Sequence, residues 1–147
     1  MHNDEKTALQ LTAAVVLVIG NIVMGHFAPP LEIFLTPVVN SITTLVTVNA
    51  LVNTSYVWSA VMSYIFIAIN DWGIKLYGGG NHDAEGSGWI NAFLLISLGC
   101  SGIVLLFCIG NNKQSKWPVK ILSVILFVLL GCAHLYLFGH IDEGRYY

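Results

Sequence analysis

Between Glu32 and Asp71 the chain runs for 38 residues without a charged side chain or a histidine. As one straight helix that stretch would be roughly 57 Å long at about 1.5 Å per residue. The hydrocarbon core of a bilayer is only about 30 Å thick. The segment therefore crosses a membrane twice, or crosses once and lays a second piece re-entrantly or along the surface. Thirteen of the 38 residues are Asn, Ser or Thr, far more hydrogen-bonding side chains than a lipid-facing span needs. This pattern predicts an integral membrane protein with a polar interior.

Composition agrees where it bears on class. Charged residues make up 10% of the chain, against about 25% in soluble domains, and the mean hydropathy is +0.73. The 147 residues suffice for one membrane domain and leave none for a separate soluble one. A net charge of −2 carries no nucleic-acid footprint. Cys100, Cys108 and Cys132 all sit in apolar runs and read as small buried packing residues. Cys100 and Cys108, about 12 Å apart by helical rise, cannot bridge each other.

Five apolar runs, at 8–25, 31–51, 56–76, 89–109 and 118–139, predict an all-α, polytopic helical bundle. The first resembles a signal peptide in length, but Asp4 and Glu5 spoil a basic n-region, so it reads as a retained span. Pro29-Pro30 ends the first helix and opens the second, while Asn53-Thr54-Ser55 is a tight turn. The alternative is four crossings with a re-entrant or interfacial segment. Five crossings put Lys6, Lys113, Lys116 and Lys120 on one side against Lys75 and Arg145 on the other. The positive-inside rule then sets the N-terminus in the cytoplasm and the C-terminus outside. Four crossings divide the cations three and three. The five-span arrangement also gathers Glu32, Asp71, Asp83, Glu85, Asp142 and Glu143 on the outer surface, with every histidine except His2 in that half.

Apolar lipid gives helices no hydrophobic reason to associate, so small residues and interhelical hydrogen bonds must supply one. Ser55, Ser59 and Ser63, continued by Ile67 and Asp71, form such a stripe in span three. Ser97, Cys100 and Ser101 do so in span four, and Ser123, Phe127, Gly131 and His134 in span five. Span two carries Thr36, Asn40, Thr43 or Thr44, and Thr47 at helical spacing, with Asn49 and Asn53 on a neighbouring face. Threonine satisfies itself on the carbonyl one turn back, whereas Asn wants a partner or water. Asn40, Thr43, Thr47, Asn49, Asp71 and His134 are accordingly the candidates for a solute or ion path. An ionisable residue within the membrane is a functional candidate by default, and packing alone is the competing account of each stripe.

The glycine-rich loop 78–88 supplies His82, Asp83 and Glu85, donors suited to a divalent cation, at a spacing that matches no established metal motif. No phosphate-binding glycine fingerprint and no GxSxG elbow is present, and no catalytic set is assigned. Trp72, Tyr77 and Trp89 suit an aromatic belt, and Lys113, Lys116 and Lys120 with Trp117 form a basic turn suited to anionic headgroups.

The leading expectation is a non-enzymatic membrane component: a transporter or channel protomer, or an accessory subunit of a larger membrane complex. Five short helices leave little room for a path, so assembly with copies of itself or with other membrane subunits is expected. A second reading is a redox subunit binding haem b or quinone, with His26 and His134 as axial ligands. A third is a membrane-embedded enzyme using His82, Asp83, Glu85 and His134 on a lipid or through a metal. The cofactor is left open.

Overall fold

The computed structural model describes residues 3–77, 84–112 and 116–139. These fold into five helices: α1 (Asn3–Phe27), α2 (Pro29–Leu51), α3 (Tyr56–Leu76), α4 (Ala84–Asn111) and α5 (Trp117–Phe138). Each is long and apolar enough to cross a membrane. The chain is an all-α integral membrane bundle, and α2 and α3 are separate full-length helices rather than one crossing and a re-entrant piece.

The breaks fall where backbone chemistry requires them. Ala28 precedes proline, which disfavours the helical conformation before it, and it takes φ −146° and ψ 65°. Pro29 and Pro30 then enter α2 at positions whose N–H groups would have no helical partner. Between α2 and α3 the Thr54 N–H donates to the Leu51 carbonyl, and the Ser55 hydroxyl accepts from the Val57 N–H at 3.3 Å to cap α3. Inside α2, Pro37 has no N–H to give the Ile33 carbonyl.

Helix ends meet in two sets, one at each face of the bundle. Where α1 begins, Thr7 donates to the Ala50 carbonyl, and Lys120 donates to the Asn112 carbonyl at 2.6 Å, closing α4 onto α5. At the opposite face His26 stacks on Tyr77, and Asn91 donates to the Gly139 carbonyl at 2.7 Å. α3 packs on all four other helices, and α2 packs on α1, α3 and α4. α1 and α5 do not pack on each other among the described residues.

The bundle is inverted relative to a water-soluble core. Large apolar side chains face outward, among them Val16, Phe34, Ile42, Ile103, Phe107 and Leu129. Polar ones face inward: Thr36, Asn40, Thr43, Thr44, Thr47, Ser59, Ser63, Ser97, Ser101 and Ser123 are all buried. The small-residue stripes of spans three, four and five thus lie in the helix seams. An apolar core around Tyr56, Ala60, Ile67, Leu94, Leu105 and Phe127 fills the rest. Trp72, Tyr77 and Trp89 are exposed near one face and Trp117 near the other, as an aromatic belt requires. The cysteines depart from expectation. Cys100 and Cys108 are only half-buried and Cys132 is exposed, because it lies off the Gly131–His134 seam on the outward side of α5.

Candidate functional site

The densest chemistry lies where α3 and α5 meet, toward the face at which α1 ends. Asp71 and Lys75 stand one turn apart on α3, and the Lys75 Nζ donates to Asp71 Oδ2 at 2.8 Å. From α5, His134 Nε2 reaches the same oxygen at 2.9 Å. All three side chains are at most 3% exposed. A carboxylate oxygen only accepts, so the Nε2 proton belongs to this bond and Nδ1 is left as an acceptor. The Tyr64 hydroxyl donates to it at 3.3 Å. Lys75 also donates to the Phe138 carbonyl at 3.0 Å, and Trp72 and Phe138 pack around the imidazole. With a neutral His134, one negative and one positive charge balance. Without that balance, burial would be costly.

A second network ties α1, α2 and α3 at the residue before Asp71. The Asn21 amide nitrogen donates to Thr36 Oγ1 at 3.1 Å and to Asn70 Oδ1 at 3.2 Å. Asn70 in turn donates to Asn40 Oδ1 at 3.2 Å, and Thr36 donates to the Glu32 carbonyl at 2.9 Å. The two networks meet at a cavity of about 10 Å³ bordered by Thr36, Asn40 and Asp71 with Ile33, Ile74, Ile90, Phe93 and Leu94. That is room for about one water molecule. Asp71 Oδ1 and Asn40 Nδ2, a spare acceptor and a spare donor, have no protein partner among the described residues. Toward the other face the buried hydroxyls of Thr43, Thr44, Ser63 and Ser101 are likewise unpartnered. Thr47, Ser59 and Ser97 bond carbonyls one turn back.

The structure brings Asn40 and Asp71 to one cavity, with His134 behind Asp71 and Thr43 and Thr47 further along the buried face of α2. Asn49 does not join them. It is exposed, because two residues beyond Thr47 is about 200° around the helix. The acidic outer surface is also smaller than the sequence suggests: Glu32 and Asp71 are buried, and Lys75 is an interior cation rather than a surface one. The i, i+4 spacing of Asp71 and Lys75 was the signal for that pair. Asn21, Asn70 and Tyr64 complete the networks; Asn21, like Asn40 and Asn49 an amide within a predicted span, is marked by its need for a partner, whereas nothing in the sequence surroundings of Asn70 and Tyr64 marks them.

His26 is exposed and stacks on Tyr77 at 5.1 Å, on a helix that does not pack against α5. His134 has both ring nitrogens in hydrogen bonds to α3. This pair does not present two imidazoles to one iron. His82 and Asp83 lie outside the described residues, as does the side chain of Glu85, whose backbone belongs to α4. Among the described residues no three His, Cys, Asp or Glu side chains group as a metal site would need.

Comparison with protein-family models, with characterised proteins and with solved structures finds no match to this chain.

Proposed function

We propose that the protein is a non-enzymatic, proton-conducting transport protomer with Asp71 as its proton-binding centre. The observation that carries this reading is the division of labour between the two oxygens of Asp71. Oδ2 takes both Lys75 and His134, while Oδ1 has no protein partner among the described residues and Asp71 lines a water-sized cavity. A structural ion pair needs no such spare oxygen. A proton arriving through the cavity binds Oδ1, neutralises the carboxylate and weakens its hold on Lys75, whose ammonium keeps the Phe138 carbonyl. His134, bonded on both sides, holds the carboxylate in place through the exchange. The spare hydroxyls of Thr43, Thr44, Ser63 and Ser101 continue the polar seam toward the other face as donors and acceptors for a file of water.

In this reading the N-terminus is cytoplasmic and the C-terminus outside, following the lysine bias. The chain works as one protomer among copies of itself or other membrane subunits, since its own seam narrows to one water. The haem alternative has less support because His134 is engaged at both nitrogens.

Reconstitution tests the proposal. In liposomes holding a pH-sensitive dye, an imposed potential should drive proton uptake above that of protein-free vesicles. D71N, checked for retained helicity, should abolish it. Uptake equal to empty vesicles, or unchanged in D71N, overturns the reading.

A further inference from the structure

We propose that Glu32 is a second proton-binding carboxyl within the membrane, separate from the Asp71 centre and seated against the backbone of α1. Its side chain, in the first turn of α2, is fully buried, and neither carboxyl oxygen has a protein partner among the described residues. The seat is specific. A Cβ at Gly25 would lie 2.6 Å from the Glu32 carboxyl carbon and 2.7 and 2.9 Å from its oxygens. A side chain at that position would displace the carboxyl from this seat.

Asp71 has counter-charges, and Glu32 has none among the described residues. On α1 the neighbouring titratable side chain is His26, exposed and stacked on Tyr77, while Asp4, Glu5 and Lys6 lie at the far end. On α3, Asp71 and Lys75 are bonded to each other, and Tyr56 and Tyr64 lie toward the other face. The described part of α4 adds only Cys100 and Cys108. An isolated buried carboxylate charge is far costlier than a neutral acid, so the seat as built suits the proton-loaded form.

The location also suits exchange. The Glu32 backbone carbonyl, not its carboxyl, accepts from Thr36, the first member of the chain that runs through Asn21 and Asn70 to Asn40 and the cavity at Asp71. Asn21, one turn along α1 from Gly25, keeps a side-chain carbonyl oxygen with no partner among the described residues. Glu32 thus stands at the entry to the polar seam on the face where α1 ends. This role depends on the membrane bundle but not on conduction through Asp71.

The test is carbodiimide modification, which requires a protonated carboxyl. The full-length chain in liposomes is treated with lipophilic dicyclohexylcarbodiimide, and the adduct is mapped by peptide mass spectrometry. The expected result is an adduct on Glu32 near neutral pH that is lost as the pH is raised, with no Glu32 adduct from a water-soluble carbodiimide. The adduct should persist in D71N, which keeps this result separate from the conduction assay, and fall several-fold in G25A, where the seat is filled. A folded wild-type chain whose Glu32 stays unmodified by the lipophilic reagent, or is modified equally at every pH, overturns the proposal. Mapping on the wild-type chain makes the answer independent of how any variant folds.

Discussion

At the scale of single residues, the account turns on charge balance in a medium that penalises imbalance. Among the described residues Lys75 is the only lysine or arginine bonded to Asp71, so K75M should leave an uncompensated carboxylate and cost about 3–5 kcal/mol. The double variant D71N/K75M removes both charges and should recover most of that stability, read by thermal unfolding in detergent. It should not recover proton uptake. The sequence disclosed Asp71 and His134 as candidates because intramembrane titratable groups are rare. It misassigned Lys75 and Glu32 because both stand within a turn or so of a helix end, where position alone cannot tell a hydrated side chain from one turned inward. Burial there depends on which helix lies alongside, as Gly25 of α1 does for Glu32, and that is a tertiary fact.

At the scale of the helices, association rests on close backbone approach and on amide contacts. Gly73 shows the first: a Cβ there would overlap Ile22 of α1. G73V should therefore push α1 from α3, costing about 1–3 kcal/mol, and the added variant I22A should restore much of the loss in the same unfolding assay. The seams were legible because small and polar residues recur at i, i+4 in α2 and α3 and at i, i+8 in α5, spacings that fix a face whatever the partner. Which seam meets which was not legible, since a stripe of small residues carries no address. The meeting of Asn21, Asn40 and Asn70, three amides from three helices, is likewise invisible in one dimension. Asn49 stands exposed, off the buried face of α2, for a related reason. Near a helix end an amide reaches interfacial water on its own and needs no buried partner.

At the scale of the whole molecule, five crossings place the two termini on opposite sides of the membrane. In sealed cells an epitope tag at the C-terminus should be reached by impermeant antibody, and one at the N-terminus only after permeabilisation. The crossing number was legible because an uncharged run of 38 residues is too long for one span and is broken at a turn sequence, 53–55. The central claim is that the Asp71 carboxylate serves proton movement rather than bundle cohesion alone. The most direct measurement is proton uptake by liposomes carrying the charge-swapped variant, Asp71→Lys with Lys75→Asp. The swap keeps a buried ion pair at the same i, i+4 spacing but moves the carboxylate a turn away from the cavity and from its bond to His134. The account predicts a folded protein whose uptake falls to the level of protein-free vesicles. Uptake restored to the wild-type rate would contradict it and reduce the pair to structural cohesion.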